Sequence, residues 1–444
     1  MFNETDLCRR AVAYQESADY DRALDAFSEA IGLNPKYVEA YYGRGNVYQL
    51  KGQFELAIAD YNRVLQFAPR EPAAYFNRGT AYEKKGDRKE AIADFTEAVR
   101  LDPEYAAAYF NRGQAHLKSG LFEQALADFS EAVRLAPKDA DALVARGLVH
   151  ALRNEAPLAL ADYEAAIALD PNHVKAHGNR GNVCQHLGDF AGAVAEYSRV
   201  LELNPKDAKA LGNRALAQTR LGKHDEAIAD YTEAIRLNPK NAAVYCNRGM
   251  ALFQRRATDR AVMDYDEAIR LEPKYVEAYL CRAAARAALG RRDEALADLD
   301  EAIRLDPQSG RAWYQRGRLR AQNGNLDSAV ADYTEALALL PDAAVYCHRG
   351  NAHTRKGDLA AALADYSEAI RVNPRYVSAH YNRGLVAAAQ GNYDLSIADL
   401  DETLRLDPKF SKAYLNRALA FERRGEKVKA QADRAKAREL EAAR

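Results

Sequence analysis

The chain has 444 residues, 48% hydrophobic and 29% charged, and its 63 basic side chains face 64 acidic ones for a net charge of −1. That balance excludes a general polyanion binder, which needs surplus positive charge to displace counterions. No apolar run approaches the roughly 18 residues that would span a bilayer.

The N-terminal stretch Met1 to Arg10 has no apolar h-region, so no secretory leader and no membrane insertion are expected. The five cysteines (Cys8, Cys184, Cys246, Cys281, Cys347) are odd in number and lie 35 or more residues apart. Neither a disulfide framework nor a zinc site is indicated, and a reducing cytoplasm fits best. No cofactor is expected.

Twelve of the fourteen prolines act as a ruler: Pro35, Pro69, Pro103, Pro137, Pro171, Pro205, Pro239, Pro273, Pro307, Pro341, Pro374 and Pro408. Each step is 34 residues, except the 33 from Pro341 to Pro374, where the loop Pro341-Asp342-Ala343 has lost one residue. A fixed period of this length signals stacked supersecondary units. With proline as the thirty-second position, repeats begin at 4, 38, 72, 106, 140, 174, 208, 242, 276, 310, 343, 377 and 411. The expected organisation is one array over residues 4–444.

Within each repeat the predicted elements run helix, tight turn, helix, exit. The first helix carries arginine at its seventh position in all thirteen repeats, from Arg10 and Arg44 to Arg383 and Arg417. Its eighth position is glycine (Gly45, Gly79, Gly113 and others) or alanine (Ala11, Ala215, Ala283, Ala418). Glycine inside a helix costs about 1 kcal/mol relative to alanine, so close approach of the paired helix is expected to offset it. At the fifteenth position ten glycines, Gly52 and Gly86 among them, fit a left-handed helix cap. Asp87, Asp189 and Asp358 follow as N-cap candidates for the second helix.

The second helix brings alanine or Ser396 at the twentieth position and Asp at the twenty-third in eleven repeats (Glu196 in the sixth, Ala26 in the first). An aromatic usually stands at the twenty-fourth, as in Phe27, Tyr61 and Phe95. The small positions of the two helices are expected to face each other, with the aromatic as a plug between repeats.

Along the array, the first repeat turns at Ala18 and the fifth at Asn154, with Pro157 early in its second helix, where a missing N–H does no harm. The last helix, roughly 427–444, replaces the plug with Arg434 and is rich in charge, as a terminal cap needs.

A small eighth residue, alanine at the twentieth, an aromatic at the twenty-fourth and proline at the thirty-second resemble the tetratricopeptide repeat (TPR) family. Ala73 to Tyr82 followed by Ala91 to Ala98 carries the pattern closely, and the eleventh position is its weakest part, aromatic only at Tyr14, Tyr48, Tyr82 and Phe421. The resemblance implies an all-α fold, an α-solenoid of about thirteen helix-turn-helix repeats wound as a right-handed superhelix. It assigns positions 2, 5, 6, 9, 12 and 13 of the first helices to a concave groove.

The recurring arginine and aspartate suggest an Arg–carboxylate bridge, within a repeat or to the next one. The other reading is a row of arginines offered to an acidic ligand.

On the groove, the sixth position is asparagine at Asn77, Asn111, Asn179, Asn213, Asn247, Asn382 and Asn416, interrupted by Gly43, Ala145 and Cys281. Asparagine has both donor and acceptor, so a ladder of them can hold an extended peptide backbone. The row is similar to the asparagine ladder of O-linked N-acetylglucosamine transferases, here without a catalytic domain; it also fits a feature common to such repeats. Tyr42, Phe76 and Phe110 at successive fifth positions read as a patch for apolar anchors or as packing.

Asn46, Asn182 and Asn351 occupy the ninth position, and Asn46 and Asn182 join the groove set. The family's carboxylate clamp for chaperone C-termini also needs lysine at the fifth position, which no repeat has.

No metalloprotease, Walker or nucleophile-elbow motif is present, and His173/His177 and His348/His353 lack metal-like spacing to other ligands, so no enzyme is expected. Interspersed charges argue against nucleic acid. The expected function is a scaffold or adaptor holding a protein or peptide in the groove, as a monomer or with weak self-association. The alternative is an assembly protein that oligomerises through its ends or convex face.

Overall fold

The computed structural model describes residues 3–442, so the last two positions of the expected array lie outside the described residues. Among those residues the regular structure is entirely helical, from Glu4–Glu16 to Lys427–Ala442, with two helices per period. The helices group into two compact units, residues 1–222 and 223–444. In each, every helix packs antiparallel on the next. Neighbouring first helices also touch one another, as Val38–Leu50 does Pro72–Lys85 in the first unit and Ala242–Gln254 does Val276–Ala288 in the second. Among the described residues, neighbouring second helices make no comparable contact. First helices therefore line the inner side of each stack, as an α-solenoid requires.

The turns follow from backbone sterics. Gly86 caps its helix at φ 101°, and the other fifteenth-position glycines share the left-handed conformation. Where glycine is absent the backbone still turns left-handed, at Ala18 (φ 57°), Asn154 (φ 60°) and Arg256 (φ 61°). Asp189 and Asp358 accept from the backbone N–H three residues on, at Gly192 and Ala361. Asp87 differs: it makes no capping bond, and its carboxylate is drawn to Lys85 Nζ at 2.9 Å. In the shortened loop, Asp342 Oδ1 caps Ala343–Lys356 by accepting from Ala344 and Val345 N–H at 2.8 and 3.2 Å.

Alanines at the twentieth position, such as Ala57, Ala91 and Ala329, are fully buried, and plugs including Tyr61, Phe95 and Tyr333 are closed from solvent. The expected pairing of small positions is corrected by the plugs. A Cβ on Gly79 would meet the Phe95 ring at 2.9 Å, and one on Gly317 the Tyr333 ring at 2.8 Å. At these glycines the eighth residue is small because its own repeat's aromatic ring edge lies against it, not because it faces the twentieth alanine. In the last helix Arg434 leaves the plug position for Glu422, 2.6 Å away.

Candidate functional site

The seventh-position arginines are structural. Arg44 Nε and Nη2 donate to Asp60 at 2.8 Å each, and Arg248 grips Asp264 in the same fork at 2.8 and 2.7 Å. Arg180 takes Glu196 instead, a carboxylate that also binds His177 Nδ1. The remaining guanidinium nitrogen reaches the twenty-fifth residue of the preceding repeat: Arg78 to Asn62, Arg282 to Asp266, Arg316 to Asp300. A fourth-position ring lies near the same guanidinium, Trp313 under Arg316 at 4.7 Å and Tyr75 near Arg78 at 5.5 Å. The rings and His177 tie back to the exit proline: Trp313 Nε1 donates to the Pro307 carbonyl at 3.0 Å. These contacts bind helix to helix and repeat to repeat, so the arginine row is not presented to a ligand.

The asparagines are partly exposed on the inner helices, and three of the seven belong to a hydrogen-bond relay. Tyr61 OH donates to Asn46 Oδ1 at 2.8 Å, and Asn77 Nδ2 of the next repeat donates to the same oxygen at 3.2 Å. The arrangement returns with Tyr197, Asn182 and Asn213 (2.8 and 3.2 Å) and with Tyr366, Asn351 and Asn382 (2.8 and 2.9 Å). Fixing the Oδ1 of the ninth-position amide inward turns its Nδ2 outward. Burial drives the Tyr197 and Tyr366 phenols up to about 12, so each stays a donor across the neutral range.

Asn416 Nδ2 donates to Tyr381 OH and to the Lys412 carbonyl, both at 2.9 Å. The side-chain amides of Asn111, Asn179 and Asn247 make no hydrogen bond among the described residues. Gly43 breaks the row because the Phe27 ring occupies the space its side chain would need.

The relay was missed in the sequence. Its signal was available: each repeat with asparagine at the ninth position (Asn46, Asn182, Asn351) has tyrosine, not phenylalanine, at the twenty-fourth.

The fifth-position aromatics are half-buried. Tyr42 packs edge-on to Tyr61 with centroids 6.1 Å apart, Phe76 lies 5.8 Å from Phe95, and Phe110 lies 5.7 Å from Phe129. Each leans on its own repeat's plug, and Tyr42 OH also accepts from Asn77 Nδ2 at 2.7 Å.

In the first unit a cavity of about 650 Å³ is lined by Asn46, Gln49, Leu50, Asn77 and Lys84 with neighbouring residues. In the second, one of about 500 Å³ is lined by Arg318, His348, Asn351, Thr354, Arg355 and Asn382 among others. Sixth, ninth, twelfth and thirteenth positions therefore share concave surfaces in both units. Among the described residues no cluster of three or more His, Cys, Asp or Glu could hold a metal, and no helix is long and apolar enough to cross a membrane. All five cysteines are free.

A model described as tetratricopeptide repeat matches residues 8–72, 76–140, 112–174, 280–344, 348–409 and 389–440, and two more of that description match 174–207, 208–241 and 242–275. The chain belongs to the tetratricopeptide repeat family.

Among solved structures this TPR chain is similar to yeast Tom70, at 19% identity and a TM-score of 0.46 over 89% of this chain and 97% of that one. It is similar to a tetratricopeptide repeat protein from Parabacteroides merdae at 22% and 0.45, over 56% and 98%. It is also similar to YrrB, described as a TPR protein with an unusual peptide-binding site, at 24% and 0.38, over 41% and 95%. No curated protein matches it. In this TPR chain the groove positions of the first unit mix both charge signs, with Glu39, Glu83 and Asp141 beside Lys84, Lys118 and Lys175.

Proposed function

We propose that the chain is a scaffold that holds an extended peptide or protein segment along the inner face of its first helices, with repeats 4–444 acting as one array in a reducing cytoplasm. TPR membership supports the coarser role in protein interaction. The finer reading rests on the oriented amides. Three Tyr–Asn–Asn relays turn the Nδ2 groups of Asn46, Asn182 and Asn351 away from the plugs, and among the described residues the side-chain amides of Asn111, Asn179 and Asn247 have no partner. A peptide backbone offers the alternating carbonyls and N–H groups that such amides complement, without selection on side chains. Half-buried Tyr42, Phe76 and Phe110 supply apolar contact beside them.

The test is affinity capture with the wild type beside an Asn77/Asn111/Asn179/Asn213→Ala variant of matched helicity. The expected result is parallel loss of the captured proteins. Full retention, or a concentration-dependent oligomer in solution scattering that assembles regardless of these changes, would favour assembly through other faces.

A further inference from the structure

The second unit contains a trough whose charge is uncompensated. Two adjoining cavities, of about 500 and 470 Å³, share Arg318 and Gln322 as lining residues. One wall is made of Ala284, Ala287 and Ala288, whose small side chains leave room for a ligand main chain. The other carries Arg318, His348 and Arg355 with the amides of Asn351 and Asn382.

Both arginines are held in place but neither has an ion-pair partner among the described residues. The Arg318 guanidinium lies near the Tyr314 ring, 5.7 Å from its centroid. Arg355 Nη1 donates to the Ala321 carbonyl of the preceding repeat at 2.7 Å. The carboxylates below them are already engaged: Asp332 by Arg316 and Arg320, and Asp365 by Arg349. Glu277, farther along, takes Arg311 at 2.8 Å. In the repeats starting at 310, 343 and 377, positions 2, 5, 6, 9, 12 and 13 contain no acidic residue.

Guanidinium groups with one local contact each, exposed in a concave site and lacking an anion, fit a planar carboxylate, which they bind bidentately. We propose that this trough recognises an acidic side chain, Asp or Glu, of an extended peptide, with Arg318 and Arg355 as its two cationic contacts. The proposal rests on the groove reading above and adds the partner's chemistry. The arginines stand at the ninth and thirteenth positions, not at the fifth, second and sixth positions of the chaperone clamp. The local charge is that of two arginines rather than a stripe, which favours a peptide over a polyanion.

The experiment measures fluorescence anisotropy of labelled ten-residue peptides with glutamate, glutamine or lysine at alternate positions between serine and glycine. With the full chain at low salt, the glutamate peptide should bind about tenfold more tightly than the glutamine peptide, roughly the value of one charge-assisted contact, and high salt should shrink the difference. The Arg318→Gln/Arg355→Gln variant should lose that preference while keeping its melting temperature, because both side chains are exposed. Arg100→Gln/Arg134→Gln, exposed on second helices of the first unit, should keep it. Equal binding of glutamate and glutamine peptides, or a preference that survives the arginine changes, overturns the inference and leaves the groove reading intact. Binding of none of the peptides overturns both. Tighter, arginine-dependent binding of a single-stranded oligonucleotide than of the glutamate peptide overturns the assignment to a peptide.

Discussion

Arg78 holds Asp94 through two hydrogen bonds, Nε to Oδ2 at 2.8 Å and Nη2 to Oδ1 at 2.6 Å, with the side chains only 19% and 8% exposed. Breaking one side of such a pair leaves an uncompensated, poorly solvated charge, which costs about 3–5 kcal/mol when the pair is well buried. Asp94→Ala is expected near the lower end, because Arg78 Nη1 retains Asn62 at 2.5 Å. Removing both partners removes the stranded charge, so Arg78→Ala/Asp94→Ala should cost less than the two single changes added together. Urea melts of the four proteins measure the coupling, expected above about 1 kcal/mol. Additive single effects would show that the bridge contributes little.

The glycines of the first helices divide by what they face. A Cβ on Gly317 would lie 2.8 Å from Cε1 and 2.9 Å from Cδ1 of Tyr333, a buried ring with no room to retreat. A Cβ on Gly384 would lie 3.2 Å from Leu400 Cγ and 3.3 Å from the Ser396 carbonyl, where a leucine can give by a few tenths of an ångström. Gly317→Ala should therefore lose about 1–3 kcal/mol to overpacking, more than the roughly 1 kcal/mol that alanine gains in helix propensity. Gly384→Ala should be near neutral. Thermal melts of the two variants decide it, and equal shifts would remove the ring contact as the cause.

The repeat boundaries, the left-handed turns and the Arg–Asp bridges were legible because each depends on a residue type at a fixed position. The facing partner of the eighth residue was not. Period alone does not say whether Gly79 meets Ala91 or the ring of Phe95, since both recur with the same spacing. Asp87 shows the same limit: its position suits a cap, and a neighbouring lysine outcompetes the backbone for its carboxylate. In the groove the asparagine row was visible, but its division was not. Whether an amide is free or engaged depends on a ninth-position residue one repeat earlier and a tyrosine hydroxyl on another helix.

The turn at Arg256 adopts φ 61°, a conformation that costs a residue with a Cβ about 1–2 kcal/mol. Its side chain is exposed, and its backbone N–H still donates to the Phe253 carbonyl at 2.9 Å. Arg256→Gly removes the strain and keeps that bond, at the expense of a more flexible unfolded chain. A net gain of about 0.5–1 kcal/mol is expected in denaturant melts. A loss would mean that the arginine side chain makes a stabilising contact outweighing the turn strain.

The relay tyrosines make the fold sensitive to alkali. Tyr197 and Tyr366 are pushed up to about 12, first by burial, whereas a phenol in the unfolded chain titrates near 10. Folded-state values above the unfolded ones mean that the unfolded chain binds fewer protons in this window, so stability falls as pH rises. The contribution is fully present below about pH 10 and is lost as pH climbs through about 12. Tyr197→Phe/Tyr366→Phe removes both titrations together with the bonds to Asn182 and Asn351, each bond contributing about 1 kcal/mol. The variant should therefore melt below the wild type near neutrality and converge with it as pH rises above about 10, where only the wild type still carries those phenols. Melting curves across that range test this directly: a constant gap between the two proteins would mean that these hydroxyls ionise as freely in the fold as in the open chain.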